Sequence, residues 1–188
     1  MGSSVQVQSE RPFIRTLSGV LSDAECAEMI QRIEALGPAP APITTLRGFV
    51  MRPDIRNNER VMFDDVTLAA ELFARVRHCV PPVVGRWRAM GTNERFRCYR
   101  YRPGQYFAPH SDGPFVRSPL ERSLLTLLVY LNEDCEGGAT RFPELEREVI
   151  PARGLGLLFE HPELHEGAEV RAGIKYVLRT DVMYRLEG

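Results

Sequence analysis

The sequence predicts an α+β fold that is mainly β, with N-terminal helices buttressing a jelly-roll core (a double-stranded β-helix). Three observations predict it. Helical periodicity is confined to residues about 20–82. From residue 96 onward the pattern changes to short alternating runs punctuated by Gly, Pro and Asn, as in sandwiches and barrels. Helices first and strands afterwards argue for helices packed on an all-β unit rather than for alternating βαβ units. The 188 residues, 44% of them hydrophobic, suffice for one substantial core. We read residues 1–188 as a single domain, with helices about 20–82 on a core about 95–185.

In chain order, residues 11–20 alternate enough for a short strand. Ser22 and Glu25 form an S-x-x-E capping box that opens a helix. Met29, Ile30, Ile33 and Leu36 give it an apolar stripe, and Gly37-Pro38 stops it. Residues 37–60 read as irregular, with Arg47, Arg52, Arg56 and Arg60 close to Asn57 and Asn58. This segment is either a solvated loop or a lid that touches an acidic substrate. Asp64 or Asp65 caps a second helix with Leu68, Leu72, Phe73 and Val76 inward, ended by Pro81-Pro82. His78, near its C-terminus, reads as a surface histidine. Strands follow over residues 96–101, 122–131, 139–142, 148–150, 155–160, 169–170 and 175–184.

Composition excludes several function classes. A net charge of −1 offers no global positive field for nucleic acid or an anionic membrane. No apolar run is long enough to span a bilayer, and the polar start MGSSVQVQSE lacks the apolar core of a secretory signal. Cys26, Cys79, Cys98 and Cys135 are widely spaced, with neither a C-x-x-C pair nor zinc spacing, so free thiols and a cytoplasmic location are expected. Lys and Arg total 24, yet Lys175 is the single lysine. Either coding bias left it there, or the position wants a compact ammonium instead of a planar fork.

The chemistry concentrates in residues 100–112, RYRPGQYFAPHSD. In an extended strand His110 and Asp112, two residues apart, point to one face. They supply two thirds of a 2-His-1-carboxylate triad, the donor set that suits non-haem Fe(II). Later in the chain stand His161 and His165, in FEHPELHEG. Pro162 between them argues against a helical zinc pair, and either could complete the triad.

Tyr101-Arg102-Pro103-Gly104 precedes His110-Ser111-Asp112. Tyr130-Leu131-Asn132 and Gly137-Gly138-Ala139-Thr140 follow, and then His165-Glu166-Gly167 leads through Val170 and Gly173 to Lys175. This order of motifs resembles the Fe(II)- and 2-oxoglutarate-dependent dioxygenases of the prolyl 4-hydroxylase-like branch. The resemblance spans residues 95 to the C-terminus and selects His165 over His161. It implies His110, Asp112 and His165 as metal ligands, and Lys175 with Tyr101 as the anchor of the far 2-oxoglutarate carboxylate. Arg179, on the same strand face as Lys175, is the alternative anchor or a substrate contact. Fe(II), 2-oxoglutarate and dioxygen are implied, with ascorbate as a further candidate. Aspartate at position 112 favours hydroxylation, because related halogenases leave that position without a carboxylate. Thr126 and Leu128 either line the pocket or merely alternate in the core, and residues 112–119 are a candidate second wall.

The expected reaction is hydroxylation of an unactivated C–H bond in a peptidyl residue, amino acid or small natural product. Two other readings compete. One is a nucleic-acid demethylase of the same superfamily, disfavoured by Lys175 and the charge balance. The other is a non-enzymatic jelly-roll metal-binding or sensor module, which has no use for Lys175. No oligomeric state follows.

Overall fold

The computed structural model describes residues 12–45 and 48–188. Helix α1, Asp23–Leu36, begins at Ser22, whose hydroxyl accepts from the Glu25 N–H while the Glu25 carboxylate accepts from the Ser22 N–H. Both expected donors of the capping box are thus satisfied. Gly37 ends the helix at φ 71°, a conformation that glycine adopts without a Cβ penalty. Helix α2, Val66–Val76, starts at Asp65, whose side chain accepts from the Leu68 N–H.

Among the described residues, ten strands form the major sheet. Its main path runs Ile14–Leu17, Gly156–Glu160, Glu121–Tyr130, Lys175–Leu186, Arg95–Tyr101, Glu59–Asp64 and Ala39–Pro40, and Trp87–Thr92 also pairs with Lys175–Leu186. The minor sheet orders Arg147–Val149, Thr140–Phe142, His165–Gly167 and Phe107–His110. Every pairing given for these two sheets is antiparallel.

Alternation along the central strands gives the major sheet two different faces. Phe96, Cys98, Leu125, Leu127, Val129, Leu178 and Val182 pack against Cys26, Ile33, Leu72 and Val76 of the helices. Tyr99, Tyr101, Leu128, Tyr130 and Val177 face the other way, into a second core with Phe142, Phe159 and Val170. Between the two sheets lie the polar residues of that second face. Arg100 ties α1 down from the sheet through Glu34 and Glu59 at 2.6 and 2.7 Å, and Arg75 of α2 pairs with Glu25 of α1 at 2.6 Å.

Four expectations need correction. Helix α2 stops at Val76, closing with the Arg77 N–H on Phe73 O, so Pro81-Pro82 lies beyond it and does not end it. Exposed His78 therefore stands outside the helix. Leu36 is 49% exposed and so lies outside the stripe that Met29 and Ile33 bury. Residues 37–60 contain a hairpin, Ile43–Thr45 with Gly48–Val50, and lead into a sheet strand, Glu59–Asp64, that separates the two helices. Short β segments of two or three residues carry too little periodicity to be read. Arg47 and Arg11 lie outside the described residues.

Candidate active site

His110 ends the strand Phe107–His110, and His165 opens the neighbouring strand His165–Gly167. The two are register partners in an antiparallel pair, which is why residues 55 positions apart in sequence bring their rings to 4.3 Å between centroids. Asp112 lies just past the strand rather than in it, with its N–H donating to His161 O at 2.9 Å. The Nε2 atoms of His110 and His165 stand 3.9 and 3.8 Å from the Asp112 carboxylate oxygens. Candidate donor atoms of all three lie within 4.8 Å of one another.

Both rings are set for ligation. His110 Nδ1 lies 2.8 Å from Ala108 O and His165 Nδ1 lies 2.9 Å from Glu163 O. A carbonyl only accepts, so Nδ1 carries the proton and each Nε2 keeps a free lone pair. Burial pushes the His110 pKa down to about 4, helped by His165, and pushes His165 down as well. Burial acts to raise the Asp112 carboxyl, yet the Arg179 guanidinium, with the His165 ring and the Thr126 hydroxyl, holds it well below the usual carboxylate range. Arg179 Nη2 sits 2.9 Å from Asp112 Oδ1 and 3.3 Å from Asp181 Oδ1.

Behind Asp112 stands a polar relay that sequence reasoning missed. Thr126 Oγ1 donates to Asp112 Oδ2 at 2.6 Å and faces His161 Nδ1 at 3.0 Å, while His161 Nε2 faces Ser123 Oγ at 2.7 Å. His161 is thus buried behind Asp112 and held by two hydroxyls. A β-bulge between Ser123 and Leu125 resets the alternation, which puts Ser123 on the same face as Thr126. The only available signal was H-x-x-x-H, which does not say which ring turns inward.

On one side of the triad lies a small inner pocket, about 40 Å³, lined by Tyr101, Leu128, Thr140, Lys175, Val177 and Arg179 among others. Lys175 pairs in register with Tyr101. Its ammonium donates to Gly138 O at 2.5 Å and lies 4.8 Å from the Tyr101 ring centroid and 5.6 Å from that of Tyr130. Among the described residues no carboxylate forms an ion pair with it, and burial pushes its pKa down to about 8. Gly138, at φ 68°, has no room for more: a Cβ there meets Lys175 Cδ at 3.0 Å and Val170 Cγ2 at 3.1 Å. Asn132 fixes the start of the lysine strand, its Nδ2 donating to Ile174 O at 2.7 Å and its Oδ1 accepting from the Tyr176 N–H at 2.9 Å.

On the other side opens a cleft of about 550 Å³, walled by Arg56, Arg60, Arg97, Arg179 and residues 113–116. Thus Arg56 and Arg60 of the expected loop reach the site, and Arg52 pairs with Asp54 outside it. Asn57 splices the segment to the triad strand, donating to Gly104 O at 3.1 Å and accepting from the Tyr106 N–H at 2.7 Å.

A family profile described as the 2OG-Fe(II) oxygenase superfamily matches residues 96–180, the stretch that carries the triad, the lysine and the motif asparagine. This stretch of the chain is similar to the 2OG-Fe(II) oxygenase superfamily. Within it, the chain resembles the prolyl 4-hydroxylases. A provisionally named prolyl 4-hydroxylase of Acanthamoeba polyphaga mimivirus is 32% identical over 103 residues, 45% of this chain and 42% of the relative. Prolyl 4-hydroxylase 1 of Arabidopsis thaliana is 24% identical over 204 residues, 91% of this chain and 69% of the relative. A solved viral collagen prolyl hydroxylase from Paramecium bursaria Chlorella virus-1 superposes with a TM-score of 0.63 at 24% identity, covering 93% of this chain and 97% of its own, which supports the jelly-roll fold. The superfamily's cofactors are Fe(II) and 2-oxoglutarate. The donor set fits them: two imidazole nitrogens and one ionised carboxylate suit Fe(II), and a buried cation without a carboxylate suits a dianion.

Proposed function

We propose that this chain is an Fe(II)- and 2-oxoglutarate-dependent hydroxylase. His110, Asp112 and His165 hold the metal, and Lys175 with Tyr101 binds the far carboxylate of 2-oxoglutarate. The observation that carries the reading is the pairing of a preformed N,N,O donor set with a buried, carboxylate-free ammonium in the adjoining pocket. A fully buried charge is costly unless paired, and the co-substrate supplies the partner. Of the two candidate anchors, Lys175 is the one without a carboxylate. Arg179 is engaged by Asp112 and Asp181, which leaves it to hold the aspartate ligand in its ionised form.

When bound together, Fe(II), 2-oxoglutarate and dioxygen supply the oxidant that replaces an unactivated C–H hydrogen by hydroxyl. The chain's own part is to bind and orient. Backbone carbonyls fix both imidazole tautomers, the Thr126 hydroxyl and Arg179 orient the two aspartate oxygens, and Tyr101, Leu128 and Tyr130 wall the inner pocket. The substrate approaches from the arginine-lined cleft. A peptidyl residue is the favoured substrate class because both curated relatives are named as prolyl 4-hydroxylases, with a free amino acid or small natural product as the alternative. A non-enzymatic metal module leaves Lys175 without a role, and the chain lacks the basic balance of a nucleic-acid binder.

We read the described residues as one domain, since helices and major sheet share a single core. Among them no helix is long and apolar enough to cross a membrane. A cytoplasmic location is our reading of the four free cysteines.

Anaerobic titration of Fe(II) and 2-oxoglutarate tests the function. A weak visible charge-transfer band is expected, and it fades in Lys175→Ala at the same 2-oxoglutarate concentration. Metal binding without any band overturns the oxygenase reading in favour of a metal-holding module.

A further inference from the structure

The inference concerns the substrate of this same site and rests on the oxygenase reading. We propose that the outer cleft selects a substrate bearing a carboxylate, which Arg56 and Arg60 hold beside the carbon to be hydroxylated.

Four guanidiniums line this cleft, and they differ in what neutralises them. Arg97 is paired with Asp181 at 2.9 Å, and Arg179 with Asp112 and Asp181. Arg56 and Arg60 have no carboxylate at ion-pair distance among the described residues, so two positive charges stand uncompensated on one wall. Arg56 is only 5% exposed. Its Nε donates to the neutral Asn58 side chain at 2.7 Å, and its Nη2 is buried with no hydrogen-bond partner. Its flat faces are satisfied by the Tyr99 and Phe107 rings at 4.6 and 4.4 Å. A ring face cannot replace an acceptor in the guanidinium plane, so the unmet demand is for an in-plane anion.

Arg60 is half-buried, lines the same cleft and pairs in register with Tyr99, on whose ring Arg56 stacks. Burial pulls its pKa down, and the nearby Arg56, Arg97 and Arg179 charges add to this. The cluster repels itself until an anion enters.

Position connects the cluster to the chemistry. Phe107, on which Arg56 stacks, itself stacks on the His110 ring at 3.6 Å and 16°. The Arg56 guanidinium is therefore one aromatic ring removed from the triad. The co-substrate's far carboxylate is taken by Lys175 in the inner pocket, which leaves the arginine pair for the substrate. A cleft of about 550 Å³ lies in the range of a specific small-ligand or side-chain site. Two sources share this chemistry: the substrate's own terminal carboxylate, or an acidic side chain next to the reacting residue.

The test uses the full chain, loaded anaerobically with Fe(II) and saturating 2-oxoglutarate so that the inner pocket is filled. N-acetyl-L-proline and its uncharged primary amide are titrated by calorimetry, followed by acetyl-Pro-Glu-amide and acetyl-Pro-Gln-amide. The acid in at least one pair is expected to bind about tenfold tighter or better than its amide. Arg60→Gln abolishes that preference, and Arg60→Glu reverses it. The first pair reports a terminal carboxylate and the second an acidic neighbour. Arg60 is the residue altered because loss of Arg56 disturbs the packing of Phe107 on His110. Equal binding within both pairs, no acid binding up to millimolar concentration, or acid binding unchanged in Arg60→Gln each overturns the proposal. The wild-type comparison decides it even where a variant fails to fold. The charge-transfer band, read in the same sample first, depends on Lys175 and not on Arg60. Its absence overturns the oxygenase reading, whereas a band without carboxylate preference overturns only the substrate class.

Discussion

The inner pocket and the outer cleft meet at His110 and Asp112 but carry their positive charge differently. The inner pocket holds one compact ammonium among tyrosine rings, with the carboxylate-engaged Arg179 at its border, in a space of about 40 Å³. The cleft spreads four planar guanidiniums along a wall of about 550 Å³, two of them neutralised by Asp112 and Asp181. A lysine suits the first because its three donors converge on one carboxylate end-on, while arginine forks suit a broader surface and bidentate contacts. The difference teaches that a narrow space among aromatic rings goes with a compact ammonium, in a chain that elsewhere uses arginine.

The most severe way to break the comparison is to remove what the two spaces share. His110→Ala or Asp112→Ala is expected to abolish both iron binding and turnover, read as metal content and product formation. Full iron and full activity in either variant place the metal elsewhere. Lys175→Ala separates the two spaces. It should raise the 2-oxoglutarate half-saturation roughly tens- to thousands-fold, the effect of about 2–5 kcal/mol for truncating one partner of a buried pair, while iron content stays unchanged. Equal 2-oxoglutarate dependence in wild type and variant removes Lys175 from the anchor role.

A smaller effect is expected from the relay behind Asp112. Thr126→Val keeps the shape but deletes the donor to Oδ2, and should weaken metal affinity about 10- to 100-fold. Measured Fe(II) affinity equal to wild type shows that Arg179 alone orients the aspartate.

The last effect is on stability instead of binding and has a defined sign. Lys175 has its pKa pushed from 10.5 down to about 8 in the folded chain, so folding of the 2-oxoglutarate-free protein disfavours the proton. The penalty is fully present below pH 8 and vanishes as pH rises toward 10.5, an amplitude of about 3 kcal/mol. Relative to Lys175→Met, wild type should therefore gain stability between pH 8 and 10, and saturating 2-oxoglutarate should suppress the gain. Tyr101, Tyr130 and Cys135 face Lys175 in both proteins, and the Cys135 thiol, which the Lys175 charge pulls down, is the neighbour whose titration the substitution also alters. Denaturation midpoints across this pH range check it, and parallel curves for the two proteins contradict it.

Much of this architecture was legible along the chain. The capping box at Ser22 and the glycine stop at Gly37 are local signals, because they depend on hydrogen bonds within one turn. The same-face relation of Lys175 and Arg179 follows from strand period alone, and both line the inner pocket. What was misjudged is short or non-local. The end of α2 at Val76 was placed too late because proline marks where a helix cannot be, not where it stops. The hairpin and strand within residues 37–60 exist through pairing with distant partners, Arg60 with Tyr99 for example.

By itself, the sequence determined the ordered motifs, the triad candidates and a lone lysine at the right remove from His165. Each is a matter of residue type and spacing, which survive without a fold. Only the tertiary structure decided what His161 does, through a bulge that turns Ser123 to the face of Thr126. It alone decided that Arg179 is engaged by carboxylates while Lys175 is not, because which charges meet depends on which strands lie side by side.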